Sequence, residues 1–192
     1  MVLNDGKYSK AMNLFYSCNV FYFFYHCCNV ELRCPFSLFS EAKKGGAKVD
    51  RVGGVDQIMD KGIGRSVVSL KGIVSANNYI DYNDLLLTGE FVYIQFSLFK
   101  LNVATIHLEI ITNDDLSFRI SCSTLHKEPR FLCRQLRLPI IPAKSGTWIV
   151  MELHINEILQ KFCATPGNPA LRFKSLKVSS ILMCVSTYIA VY

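Results

Sequence analysis

The stretch Thr105-Ile-His-Leu-Glu-Ile-Ile-Thr-Asn-Asp-Asp-Leu-Ser-Phe-Arg-Ile-Ser-Cys-Ser123 decides the fold class. With a period of two, Ile106, Leu108 and Ile110 share one face and His107 and Glu109 the other. After Asn113-Asp114-Asp115 the alternation resumes, with Leu116, Phe118, Ile120 and Cys122 inward and Ser117, Arg119, Ser121 and Ser123 outward. Strict alternation on both sides of a short Asn/Asp turn is a hairpin signal. A one-residue slip would expose every apolar side chain, so like faces must meet. The register this predicts pairs Ile110 with Phe118, Leu108 with Ile120, and Glu109 with Arg119 on the outer face.

Strand signals surround the hairpin at roughly ten-residue spacing. Val49–Val52 and Val55–Met59 read as short strand or turn pieces in a glycine-rich lead-in. Val68 and Leu70 alternate with Ser69 and Lys71. After Ser75–Ile80 the run from Asp81 to Leu87 reads as a loop. Val92, Ile94, Phe96 and Leu98 share a strand face, and so do Ile149, Met151, Leu153 and Ile155. Leu132–Leu138 reads as one strand with Leu136 and Leu138 inward, Gln135 and Arg137 outward, and Arg134 at the wrong parity, where the strand leaves the sheet. Asn156 can cap a short helix over Glu157–Phe162. Leu171–Val178 and a last apolar run to Tyr192 follow the Pro166-Gly-Asn-Pro169 turn. Many strands and one short helix predict a mainly β protein, an antiparallel β-sandwich of jelly-roll type. Trp148, the only tryptophan, is expected in its core.

A chain of 192 residues, 51% hydrophobic, is long enough to bury a core. Its net charge of +6 suits an acidic partner. Residues 1–34 read as an atypical extension, aromatic and cysteine-rich from Leu14 to Val30. An irregular segment ranks ahead of a membrane anchor, since Asn13, Asn19, His26 and Asn29 interrupt the apolar run. A signal peptide ranks third, because no small-residue cleavage site follows. His26, Cys27, Cys28 and Cys34 lack metal-ligand spacing, no Cys-x-x-Cys pair occurs anywhere, and no Asn-x-Ser/Thr sequon is present. Cys122, Cys133, Cys163 and Cys184 are expected to be buried structural thiols.

No catalytic motif survives inspection. Gly62-x-Gly64 lacks the spacing and the Lys-Ser/Thr ending of a phosphate loop, and the histidines lie apart in sequence. Asp114 and Asp115 serve a turn. No enzyme, cofactor or metal is expected. The basic signal is stronger: Arg119, Lys127, Arg130, Arg134, Arg137 and Lys144 lie within twenty-six residues against one acid, Glu128. Exposed charges of one sign steer and orient an acidic protein surface. Nucleic acid would call for interleaved exposed aromatics, and Phe118 is assigned to the core. With Arg119 neutralised by Glu109, the candidate docking patch is Lys127, Arg130, Arg134, Arg137 and Lys144.

The succession Gly72-Ile-Val-Ser-Ala-Asn-Asn-Tyr-Ile80, Leu87-Thr-Gly-Glu-Phe-Val-Tyr-Ile94 and the hairpin resembles the cilia- and flagella-associated protein 20 domain. Ser123-Thr-Leu-His-Lys-Glu128, Leu136-Arg-Leu-Pro139, Thr147-Trp148 with Leu153, and Phe173-Lys-Ser-Leu176 fit the same pattern. The Ser-Ala-Asn-Asn-Tyr-Ile and Leu-Thr-Gly-Glu-Phe-Val-Tyr segments favour the version found at the N-terminus of large WD-repeat proteins of centrioles and basal bodies. The resemblance implies a domain from residue 35 onward, cut short near residue 192. It implies a non-enzymatic β-sandwich of the cytoskeleton, in cilium or flagellum axonemes or in centrioles, that binds tubulin and stabilises doublet or triplet microtubule walls alongside other axonemal or centriolar proteins. No nucleic acid is expected, and a membrane only if residues 1–34 act as an anchor. The alternative is a lectin-like, carbohydrate-binding sandwich, which would need Trp148 facing solvent beside His154.

Overall fold

The hairpin forms in the register its alternation predicts. Strand β7 (Ala104–Ile111) pairs antiparallel with β8 (Ser117–Ser123), with Ile110 opposite Phe118, Leu108 opposite Ile120, and Glu109 opposite Arg119. The Thr112 N–H donates to the Leu116 carbonyl (3.0 Å) and the Asp115 N–H to the Thr112 carbonyl (3.0 Å). Asp115 takes a positive φ of 54°, a conformation that Asp tolerates better than most residues.

The computed structural model describes residues 21–25, 47–99, 103–141, 144–163, 172–180 and 182–190. Thirteen strands among them form two sheets. The hairpin sheet has seven, ordered β2 (Lys48–Val52), β5 (Tyr79–Thr88), β12 (Arg172–Ser180), β7, β8, β10 (Gln135–Pro139) and β9 (Arg130–Leu132). The second has six, ordered β1 (Phe21–Tyr25), β11 (Trp148–His154), β6 (Phe91–Leu98), β13 (Leu182–Ala190), β4 (Arg65–Lys71) and β3 (Gly54–Asp60). Inward residues of both, among them Leu70, Ile80, Ile94, Phe96, Ile106, Leu108, Ile120, Leu136 and Leu176, make one core. This is the layered arrangement of a mainly β-sandwich. Phe21–Tyr25, inside the expected extension, is an edge strand paired antiparallel with β11. The rest of residues 1–34 lies outside the described residues.

Several local expectations are corrected. The run Asp81–Leu87 is not a loop but most of β5, running antiparallel to β2 and β12. Asn83 and Asp84 read as turn residues, yet Asp84 takes a φ of 56° where the register against β12 shifts between Phe173 and Ser175. The turn chemistry is spent on a bulge. Leu132–Leu138 is not one strand. Cys133 (φ 48°) and Arg134 (φ 62°) form a tight two-residue turn between antiparallel β9 and β10, as a primed turn requires. Strand β10 then runs parallel to β8, a departure from an all-antiparallel sheet.

In β4, Val67 and Ser69 are buried as well as Val68 and Leu70. A second cluster accounts for the outer pair: Ile63, Val67 and Cys184, with Ile58, Phe99 and Trp148 packed against them. Trp148 therefore lies outside the main core, half-buried on the outer face of the six-stranded sheet. Cys122 and Cys184 are buried thiols as expected, whereas Cys133 is exposed at its turn. Burial pushes the Cys122 thiol up to about 12.

The helix α1 runs from Ile155 to Cys163, so Asn156 sits inside it and does not cap it. The Ile155 N–H is met by the Glu90 carbonyl at 2.8 Å, which satisfies a first-turn donor. Near the opposite end of the sandwich a 3-10 turn (Ser75–Asn77) leads into Asn78, which is buried. The Asn78 Nδ2 donates to the Ser180 carbonyl (2.5 Å), and the Ser180 N–H returns a bond to the Asn78 carbonyl (3.2 Å). Gly72 packs so close to Asn78 that a Cβ there would lie 2.7 Å from its Cγ.

Candidate docking surface

Pairing across the seven-stranded sheet lines up its outward side chains in rows. One row runs Arg130 (β9), Arg137 (β10), Ser121 (β8), His107 (β7), Lys177 (β12), Asp81 (β5) and Asp50 (β2). The neighbouring row runs Leu132, Gln135, Arg119, Glu109 and Ser175. At the β12 end each cation has a carboxylate. Arg119 is bound to Glu109, its Nε donating at 3.1 Å, and Lys174 Nζ lies 3.7 Å from the other oxygen of that carboxylate. The Arg119 hydrogen bond holds the Glu109 carboxyl below the usual range against the opposing effect of burial. Lys177 lies 3.7 Å from Asp81 and 3.4 Å over the ring centre of Tyr79. Burial nonetheless raises the Asp81 carboxyl.

At the β9 end the balance is different. Lys127, Arg130, Arg134 and Arg137 are all exposed, and none makes an ion pair among the described residues. The register sets Arg130 directly opposite Arg137 on one face of the hairpin. Like charges so placed repel. Arg134 occupies the turn, and its carbonyl accepts the Arg119 N–H at 3.0 Å. Lys127 lies in the connection between β8 and β9. Lys144 is elsewhere: its carbonyl accepts the Thr147 N–H (3.0 Å), and the next donor along, the Gly146 N–H, bonds to Leu98 at the end of β6 in the other sheet. Four of the five expected docking residues thus share an edge, and Lys144 belongs to a different loop.

Two histidines join this face that the basic pattern alone does not single out. His107 Nδ1 is 2.8 Å from Ser121 Oγ, which also accepts from Gln135 Nε2 at 3.1 Å. Burial lowers the His107 pKa most, and Arg119, Lys177 and His126 lower it further. His126 is lowered by burial and then by Arg137. The two imidazoles therefore sit within the field of the arginines. The outward parity of His107 was visible in the alternation; its alignment with Arg137 depends on the parallel β8–β10 register, which no local pattern announces. Exposed Leu125, Phe131 and Leu132 add apolar surface along the same edge.

The outer face of the other sheet carries the remaining polar cluster. His154 stacks on Phe91 (centroids 4.4 Å apart), with its Nδ1 2.9 Å from Glu157 and its Nε2 3.9 Å from Glu90. Trp148 stands six residues away on β11, roughly 20 Å along the strand, packed into its own cluster. The solvent-facing Trp148–His154 pair that a sugar groove would need is not formed. Among the described residues no group of three or more His, Cys, Asp and Glu side chains could hold a metal ion, and no helix is long and apolar enough to cross a membrane.

Comparison with known proteins adds an independent line. The N-terminal modules (CBM22-1 and GH10) of Clostridium thermocellum endo-1,4-β-D-xylanase 10B, solved with xylohexaose, superpose with a TM-score of 0.38 at 10% identity over 74% of this chain and 26% of that one. That likeness is too slight to carry a functional conclusion. Sequence relatives are more telling. Centriole proteome protein 16 of Chlamydomonas reinhardtii is 32% identical over 122 residues, which is 59% of this chain and 6% of that protein. WD repeat-containing protein 90 of Mus musculus is 27% identical over 154 residues, 71% of this chain and 8% of that protein. The human protein of the same name is 29% identical over 125 residues, 56% of this chain and 7% of its own length. The chain thus spans under a tenth of each of these relatives. The model of the CFA20 domain matches residues 36–181, a span that takes in β2 through β12, and by that match the chain belongs to the CFA20 domain family.

Proposed function

We propose that this chain is a non-enzymatic structural module of centrioles or axonemes that docks on the microtubule wall through the β9–β10 edge of its seven-stranded sheet. Its partners would be tubulin and the neighbouring wall proteins, and its place the cytoskeleton of the cilium or basal body. The family match and a relative named for the centriole proteome support the setting. The observation that carries the docking surface is the exposed set Lys127, Arg130, Arg134 and Arg137, unpaired by carboxylates among the described residues. Tubulin presents an acidic outer surface, and charge of the opposite sign accelerates and orients such an encounter. The test is co-sedimentation with assembled microtubules across a salt series. The chain should pellet at low salt and be released as salt rises; failure to pellet at low salt refutes the reading. Charge reversal at Arg130, Arg134 and Arg137 together should weaken pelleting, and unchanged binding would refute this edge as the contact.

A further inference from the structure

Resting on that docking reading, we infer that the row Arg130–Arg137–Ser121–His107, with His126 beside it, is a site for an extended glutamate-rich peptide segment. Three observations converge on it. Arg130 and Arg137 face each other across the hairpin, a repulsive arrangement that an anion lying between them would relieve. His126 and His107 continue the row inward, each close enough to a guanidinium for its protonation to be opposed by it. Of the carboxylates further along the face, Glu109 is engaged by Arg119 and Lys174 and Asp81 by Lys177, while Asp50 lies at the far end on β2. Anionic charge from outside therefore has four cations to meet at the β9 end against one nearby acid, Glu128 in the β8–β9 connection.

The dimensions suit a peptide strand. From β9 to β7 the row crosses three strand intervals, about 14 Å, the reach of four or so extended residues. The Arg guanidinium fork matches a carboxylate with two parallel N–H donors. Exposed Leu132, opposite Gln135 in the neighbouring outward row, offers apolar contact to the stems of glutamate side chains. A nucleic acid strand suits the face less well. Base stacking needs an open aromatic ring, and on this face the Tyr79 ring is covered by the Lys177 ammonium.

A labelled oligoglutamate peptide titrated into the whole chain, followed by fluorescence anisotropy, tests the site. Binding should weaken steeply with salt and should fall about tenfold in the R130Q/R137Q double variant, while K144Q, on the loop of the other sheet, leaves it unchanged. In the unmodified chain, peptide-induced amide shifts should centre on β8 and β10. Shifts confined elsewhere, binding indifferent to R130Q/R137Q, or tighter binding of a single-stranded oligonucleotide than of oligoglutamate would each overturn the site. The two readings separate on microtubules. Pelleting that persists when oligoglutamate does not bind, or when the acidic tubulin tails have been removed by limited proteolysis, overturns the peptide site and leaves wall docking standing. Loss of both overturns both.

Discussion

Replacing Gly72 by alanine should destabilise the fold by about 2 kcal/mol, and most of that cost should vanish when Asn78 is replaced too. The added Cβ would lie 2.7 Å from Asn78 Cγ, 2.8 Å from its Cβ and 3.0 Å from its Nδ2. Ordinary carbon contacts begin about 0.7 Å further out. Gly72 does not have a positive φ, so the penalty is one of contact and not of backbone strain. Asn78 cannot yield without cost, because it is buried and its Nδ2 holds the Ser180 carbonyl at 2.5 Å. Pushing the amide aside forfeits that bond and strands a buried polar group, about 1–3 kcal/mol. For a domain of this size, about 2 kcal/mol lowers Tm by roughly 4–8 °C. The assay is urea unfolding of the wild type, G72A, N78G and the double variant; glycine is needed at 78 because alanine would keep the Cβ that lies 2.8 Å from the added methyl. N78G should itself cost about 2–4 kcal/mol, and G72A in the N78G background less than about 0.5 kcal/mol. Strict additivity of the two single costs would refute the reasoning, since it would mean that Gly72 and Asn78 do not share one clash.

Three further outcomes follow from the same structure. Leu108→Ala, in a fully buried position of the hairpin, should cost about 2–5 kcal/mol in denaturant unfolding; a cost under about 1 kcal/mol would contradict the observed register. Glu109 has a folded pKa below its ordinary 4.5, so its contribution to stability is present above about pH 4.5 and is lost as the pH falls through the folded value. E109Q should therefore flatten the acid limb of the stability curve, and an unchanged limb would count against the Arg119 pair. His107 and His126 are likewise depressed from 6.5, so the unfolded chain takes up protons first and stability should fall as the pH drops below about 6.5. Replacing both by glutamine should remove that slope, measured as Tm between about pH 5 and pH 7.

What was legible in the sequence tracks how local the information is. The β7–β8 hairpin was readable to the residue pair because strict alternation and a three-residue polar tip leave one register that buries every apolar side chain. Strand β5 was not, because Asn83 and Asp84 carry the chemistry of a turn and the structure uses it for a bulge inside a strand. The second buried layer over β4 was hidden for another reason: Val67 and Ser69 look like an ordinary outward face until Phe99 and Trp148, from distant parts of the chain, join Ile63 of the preceding turn over it. Of the candidate surface, the arginines could be read from composition, and Arg119 could be set aside from parity alone. Lys144 could not be separated from the others, since proximity in sequence hides the crossing to the other sheet. His107 could not be joined to the arginines, since parallel pairing of β8 with β10 is a long-range fact.

The positions of β12 and β13 have a consequence for how the protein is made. The last two described strands are not additions at the rim: β12 lies between β5 and β7, and β13 between β6 and β4, in the interiors of the two sheets. Until Arg172–Ala190 has left the ribosome, each sheet exists as two unjoined fragments with raw edges and an open apolar face. Such an intermediate is a substrate for chaperones and a hazard for aggregation. Neither sheet can be completed before Arg172–Ala190 is available, so a chain arrested before Arg172 should be degraded or aggregate, not accumulate as a smaller folded unit.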